Sequence, residues 1–234
     1  PDSISSGLVM TSTNGTDWTI NSTVASTYNA QYSEVLYGGG TWVVAGSGNS
    51  ILTSTDGLNW TARSFPGGVI PGTGTYGAGK FILSGNGNTV ITSPDGATWT
   101  RIAVAGAIGA SSPYLPDVTF GGGKFVAVGR DSNFVAVAYT STDGTTWTAA
   151  PAISNASGST GFLAVISDGT KFVAAGGVGV FSSADGNTWT KQTSALPSSA
   201  RQLGPQAENV SAASFANGQF FVLGINGSIT NSTD

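Results

Sequence analysis

Apolar residues in this chain come in short runs, each cut off by glycine, asparagine or aspartate. One stretch shows the pattern. Ser33–Tyr37 reads as a first strand, ended by Gly38-Gly39-Gly40, and Trp42–Gly46 as a second, turned by Gly48-Asn49-Ser50. Ile51–Ser54 is a third, Asp56-Gly57 a turn, and Trp60–Arg63 a fourth. Asn, Asp and Gly between apolar runs signal hairpins because they accept positive φ. The second strand returns as Phe125–Val128, Phe172–Ala175 and Phe220–Leu223. These runs are apolar at successive positions, so both faces of each strand must be covered.

The turn between third and fourth strands repeats most clearly. Thr53–Thr61 returns at Thr92–Thr100, Thr140–Thr148 and Ser182–Thr190; Thr11–Thr19 carries Asn14 in the Asp position, and Asn231–Asp234 is a truncated copy. The repeat tryptophans, Trp18, Trp60, Trp99, Trp147 and Trp189, are 42, 39, 48 and 42 residues apart. A strand-rich period of this length indicates propeller blades. The expected fold is therefore all-β: one domain, residues 1–234, forming a five-bladed β-propeller of four-stranded antiparallel blades. The ends overlap. Gly7–Ser12 and Gly227–Thr230 both read as third strands. We expect the N-terminal strands to complete the last blade and close the ring, which removes free edges; an open array or pairing between molecules is the alternative.

Composition narrows the function. Only 9% of residues are charged and the net charge is -4, so no basic footprint for nucleic acid or anionic membrane exists. Cysteine and histidine are absent, which excludes thiol nucleophiles, Ser-His-Asp triads and His- or Cys-ligated metals. No apolar run is long enough to insert in a membrane as a helix. The opening Pro1-Asp2-Ser3 reads as a mature or excised form. Sequons at Asn21, Asn155 and Asn209 are expected by chance in so Asn-, Ser- and Thr-rich a chain.

The pattern Ser54-x-Asp56-Gly57-x-x-Trp60 resembles the Asp-box (BNR) repeat of sialidase-like β-propellers, with one residue fewer between Asp and Trp. The resemblance implies the fold and leaves function open, because such boxes occur in glycosidases, lectins, surface proteins and phage tail proteins. It also implies that the boxes lie on the face away from the usual sugar site. The residues themselves support a folding staple: Asn14, Asp56, Asp95, Asp143 and Asp185 can accept backbone N–H groups in their own turns, and the tryptophans can bury between hairpins. One carboxylate per turn is too few for a hard cation, so no metal and no cofactor is expected.

A sialidase, in that family, requires three convergent arginines, a Tyr–Glu pair and an acid Asp. This chain has four arginines, of which Arg63 and Arg101 follow repeat tryptophans on outer strands; only Arg130 and Arg201 lie in loops on the plausible binding face. Other glycosidases need paired carboxyl groups. Glu34, Asp117 and Glu208 lie near the starts of first strands and border the expected channel, where they either carry such chemistry or solvate the channel mouth.

Binding is the better-supported class. The loops on one face hold Tyr28, Tyr32, Phe65, Tyr114 and Phe162 among amide side chains, Asn133 included, which suits C–H stacking and hydrogen bonding to sugars. Two insertions break the repeat, Gly129–Phe134 and Lys191–Asn209, and long loops are disproportionately functional. Lys80, Lys124 and Lys171, at the starts of second strands, read as solvated edge positions. The expected function is a non-catalytic module recognising a glycan or a surface protein, on a secreted or virion-surface protein. The expected ligand-binding set is Tyr28, Tyr32, Tyr114, Arg130, Asn133, Phe162, Arg201, Glu34, Asp117 and Glu208. A structural or adhesion domain of a larger assembly, such as a phage tail, is the alternative, and a glycoside hydrolase the third reading.

Overall fold

The computed structural model describes residues 9–21, 32–46, 50–63, 66, 71–105, 112–154, 156, 160–192, 210–224 and 229–232. Among them there is no helix, and the strands form successive antiparallel sheets. A hairpin, β1 (Met10–Thr11) and β2 (Thr19–Ile20), comes first. Four four-stranded sheets follow. The first holds β3 (Tyr32–Gly38), β4 (Thr41–Gly46), β5 (Ser50–Ser54) and β6 (Thr61–Arg63). The second holds β7 (Pro71–Gly77), β8 (Lys80–Gly85), β9 (Thr89–Ser93) and β10 (Thr100–Ala103). The third holds β11 (Tyr114–Gly121), β12 (Lys124–Arg130), β13 (Ala136–Ser141) and β14 (Thr148–Ala149). The fourth holds β15 (Phe162–Ser167), β16 (Phe172–Gly176), β17 (Gly179–Ser183) and β18 (Thr190–Lys191). A fifth, three-stranded sheet has β19 (Val210–Ala216), β20 (Gln219–Gly224) and β21 (Ile229–Ser232).

The first strands of these sheets lie side by side in chain order, β3, β7, β11, β15 and β19. The cores consequently sit between sheets. Val43, Ile51, Phe81, Leu83 and Trp99 join the first to the second; Ile82, Val90, Leu115, Val118 and Phe125 join the second to the third; Val126, Ala138, Phe162, Phe172 and Trp189 join the third to the fourth. The apolar runs of the second strands are explained by this burial on both faces.

An aromatic pair recurs where first and second strands meet at their turn. Ring centroids are 4.6 Å apart in Tyr37–Trp42, 4.7 Å in Tyr76–Phe81, 4.8 Å in Phe120–Phe125 and 4.7 Å in Phe215–Phe220. Two of them rest on a glycine of the preceding sheet. The Tyr76 ring lies on Gly38 and the Phe120 ring on Gly77, so closely that a Cβ at either glycine would stand only 2.0 or 2.1 Å from the ring's Cγ.

The turn between third and fourth strands is built alike in every described copy. The Ser54 hydroxyl donates to Asp56 Oδ1 (2.9 Å), which also accepts the N–H groups of Leu58 and Asn59, both at 2.8 Å. Gly57 N–H donates to Ser54 Oγ at 2.8 Å, and the Trp60 indole donates to the Gly57 carbonyl at 3.1 Å. Asp95, Asp143 and Asp185 repeat the arrangement. Asn14 Oδ1 does the same without charge, accepting from Thr16 and Asp17 at 2.9 Å. Trp99 and Trp189 repeat the indole bond, whereas the buried Trp147 Nε1 has no partner among the described residues. The turn glycines, all at positive φ, press on the sheet before: Gly96 faces Val43 and Thr53, Gly144 faces Ile82, and Gly186 faces Val126 and Thr140. Each turn thus fixes the spacing between two sheets as well as its own hairpin.

Two sequence expectations change here. The lysines at second-strand starts are not simply solvated: Lys80 Nζ donates to the Asp143 carbonyl at 2.8 Å, and Lys124 Nζ to the Asp185 carbonyl at 3.0 Å. A long side chain on one sheet reaches the turn of the next because that turn is packed against it. Lys124→Met is expected to cost about 1 kcal/mol in urea unfolding, the usual worth of one such bond; no change would show the tether to be idle. Secondly, among the described residues the N-terminal strands do not pair with the last sheet. β20 pairs with β21, Phe220 opposite Ser232 and Leu223 opposite Ile229, and β1 pairs with β2. The local hairpin wins because it closes a far shorter loop.

Candidate functional site

Every first strand carries a β-bulge in the same place, where its ladder with the second strand shifts by one residue: between Tyr32 and Glu34, Pro71 and Gly74, Tyr114 and Asp117, Phe162 and Ala164, and Val210 and Ala212. A bulge frees backbone groups from the ladder. The carbonyls of Tyr114 and Gly161 consequently crowd the glycines at the ends of β12 and β16, Gly129 and Gly176. The bulges also create the sites of two of the three expected acids.

Asp117 Oδ2 accepts the N–H of Val165, on the first strand of the following sheet, at 2.7 Å. Its Oδ1 accepts Val118 N–H at 2.8 Å and the hydroxyl of Thr73, on the first strand of the preceding sheet. Glu34 stands at the equivalent position of the first sheet and accepts the N–H of Gly74, the counterpart of Val165. Burial pushes Asp117 up to about 6 against the pull of its three donors. Burial, with the nearby Asp117 charge adding to it, pushes Glu34 up to about 7 against its bond to Gly74. Both Asp117 oxygens are committed, so the group is a cross-link between three sheets. Thr73, the middle member of the series, was not among the expected site residues; its place opposite Asp117 follows from the shared bulge.

The second cluster lies where the repeat is broken. Tyr114 opens β11, pairs with Arg130 at the end of β12, and is 41% exposed. The lengthened hairpin then turns on Asp131, whose Oδ1 accepts Asn133 N–H (2.8 Å) and Val135 N–H (2.9 Å). Two backbone bonds, Asp131 N–H to the Val135 carbonyl and Phe134 N–H to the Asp131 carbonyl, lock the turn. Phe134 is held at φ 63, a conformation rare for a bulky residue, and is 47% exposed. The result is a guanidinium over two rings: Arg130 Cζ lies 5.4 Å from the Tyr114 centroid and 4.7 Å from that of Phe134. Beside them is a cleft of ≈ 190 Å³ lined by Ser112, Tyr114, Arg130, Asp131, Ser132 and Phe134.

The remaining expected residues are dispersed. Asn133 is at the exposed tip of this same turn. Phe162 does not line a loop pocket: it is the first residue of β15, 0% exposed, and packs at 5.3 Å from Phe181 and 5.6 Å from Trp189. The strand begins inside the sheet junction, so the ring belongs to the core. Tyr32 is half-buried at the start of β3, in a larger cleft of ≈ 940 Å³ between hairpin β1–β2 and the first sheet. Glu34, Val35, Trp42, Trp60 and Trp18 also line it. Among the described residues no other first strand packs before β3, and Val35 is 60% exposed where its counterpart Val118 is 2%. Tyr28, Arg201 and Glu208 lie outside the described residues, as does most of the second insertion. Among the described residues no group of acids is arranged to hold a metal ion.

Radially ordered four-stranded antiparallel sheets, joined through their first strands, are the architecture of a β-propeller. The family model of the DUF6242 beta propeller domain matches residues 93–233, more than half of the chain. The chain belongs to this family. No curated protein matches it. Among solved structures, YCF48 bound to D1 peptide is similar over 94% of this chain and 69% of its own, with 18% identity and a TM-score of 0.64. The GH74 enzyme of Niastella koreensis matches 98% of this chain but only 36% of its own length, with 20% identity and a TM-score of 0.53. A chain of the nidogen/laminin complex matches at 9% identity over 93% of this chain and 80% of its own, with a TM-score of 0.56. At these identities the likenesses are likenesses of fold. In this DUF6242 propeller, the acids stitch inner strands together, while the Arg130 cleft lies on the one described hairpin that departs from the repeat.

Proposed function

We propose that this propeller is a non-catalytic binding domain that recognises a glycan at the Tyr114–Arg130–Phe134 cleft, with Asn133 at its rim. The observation that carries the reading is a guanidinium over two half-exposed rings beside a small polar cleft. Aromatic surface next to hydroxyl, carboxylate and amide groups is the chemistry that sugar rings require. The strained Phe134 backbone fits a preorganised site, since such conformations persist where the surrounding structure over-determines them. The domain comprises residues 1–234 as five repeats, its turns are Asp-boxes, and it acts outside the cell or on a virion surface. Catalysis is not part of the reading, because Asp117 is engaged on both oxygens and Glu34 by the neighbouring sheet. Calorimetric titration against neutral and acidic oligosaccharides is expected to show saturable binding that Tyr114→Ala weakens at least about tenfold, the scale of one lost aromatic contact. Absence of heat with every sugar class would sink the proposal.

A structural role in a larger assembly is a second reading, favoured by one observation. Val35, Tyr37, Trp42, Leu58, Met10, Trp18 and Ile20 are all exposed on the first sheet and the hairpin beside it, and apolar patches of this kind mark interaction surfaces. Two solved structures of similar fold, YCF48 bound to D1 peptide and the nidogen/laminin complex, hold a peptide or protein partner, which supports this second reading.

A further inference from the structure

The Arg130 cleft carries more information than a general affinity for sugars. The guanidinium carbon lies over two rings, those of Tyr114 and Phe134, and the group makes no hydrogen bond or ion pair among the described residues. Stacking occupies the faces of a guanidinium and leaves its N–H edges, where a planar fork of donors fits a carboxylate in bidentate fashion. The adjoining Asp131 does not fill that role: its Oδ1 is taken by the N–H groups of Asn133 and Val135. Gly161, at φ 67, presses against the Arg130 Cβ from the next sheet, where any larger residue would clash. A long cation normally loses much side-chain entropy on binding, and the two ring contacts reduce that loss.

We infer that the cleft takes the carboxylate of an acidic sugar residue, paired edge-on with Arg130, while Ser112, Ser132 and the second oxygen of Asp131 meet the ring hydroxyls. This rests on the proposed glycan reading and deepens it. The cleft volume, ≈ 190 Å³, suits one monosaccharide unit and not a chain laid along the surface. The exposed parts of Tyr114 and Phe134 give that unit apolar C–H surface to rest on.

The test is calorimetric titration of the whole chain with four probes: oligogalacturonate, its carboxyl-reduced neutral counterpart, and one short peptide with a free or an amidated C-terminus. The wild type is expected to bind the uronate at least about tenfold more tightly than the neutral sugar, the difference that charge-assisted bonds supply. Arg130→Gln is expected to erase that preference, and Arg130→Lys, which keeps the charge without the fork, to lose most of it. Both variants are compared at equal fraction folded, judged by thermal melts. Equal affinity for uronate and neutral sugar, or an unchanged preference in Arg130→Gln, overturns the carboxylate inference and leaves the glycan reading standing. Binding to the free-carboxylate peptide and to neither sugar overturns both, as does no binding to any probe.

Discussion

Gly77→Ala is expected to destabilise the domain by about 3 kcal/mol, although it adds a single methyl group and leaves the backbone outside the positive-φ region. The added Cβ would stand 2.1 Å from Cγ of the Phe120 ring, which lies on Gly77 as the Tyr76 ring lies on Gly38. Neither partner can step aside. Phe120 is paired at 4.8 Å with Phe125, which is fully buried, and Gly77 ends a strand paired with Lys80 at the tight turn. Gly79→Ala is the matching control. Gly79 has φ +75 but open space around it, so only conformational strain of about 1 kcal/mol is expected. A double variant separates the steric account from any general intolerance of the turn. Phe120→Ala alone is expected to cost about 2–3 kcal/mol, and Gly77→Ala added to it almost nothing further, a coupling of more than about 2 kcal/mol. Urea denaturation of the four proteins measures it. Additive losses would show that Gly77 is needed for some reason other than the ring.

What was legible in the sequence is what a repeat makes redundant. Five tryptophans in phase placed the turns, the apolar runs between them placed the strands, and Asn14 standing in an Asp position marked those turns as hydrogen-bonded staples and not reacting centres. In each described copy the structure shows the Asp or Asn side chain accepting the N–H groups of its own turn. The unreadable part depends on contacts between sheets. Nothing local says that Lys80 and Lys124 reach a carbonyl some sixty residues on, because the distance is set by how the next turn packs. Phe162 looked like a loop aromatic because the bulge after it hides where β15 begins. The same bulges turn Glu34 and Asp117 from channel-lining acids into acceptors for the next sheet. Phe134 was recognisable as part of an insertion, but its left-handed backbone, which swings the ring over Arg130, has no signal in residue type. At the ends, two segments have equal claims on one strand position, and among the described residues β21 takes it by a short hairpin with β20.

The inner-strand carboxyls lead to the other large expectation, a stability that falls as the pH rises through neutrality. The folded protein holds Asp117 at about 6 and Glu34 at about 7, both above the ordinary values of 3.8 and 4.5, chiefly because burial disfavours their charge. A carboxyl raised on folding binds its proton more tightly in the native state. The stability it contributes is complete below the unfolded value and is lost as the pH passes the folded one. The window is therefore about pH 4 to 7, with a loss of about 1–2 kcal/mol for each group after allowance for partial solvent access. The turn carboxylates act in the opposite sense. Hydrogen bonds from their own backbone, Asn59 first for Asp56 and Thr146 first for Asp143, hold them below the usual range, so their contribution is present above about pH 4 and lost on acidification. The two sets together predict a stability maximum on the acid side of neutrality. Asp117→Asn removes one titration while keeping an acceptor, and should flatten the slope between pH 5 and 8 by about half. Asp117→Ala should instead lower stability at every pH by about 2–4 kcal/mol, because the N–H groups of Val118 and Val165 are left without their acceptor between packed strands. Chemical denaturation across that range distinguishes the cases. A wild type equally stable at pH 5 and pH 8, or an Asp117→Asn variant with the full wild-type slope, would mean that the carboxyl linking three sheets is solvated enough to ionise freely, and that the first strands are held by packing alone.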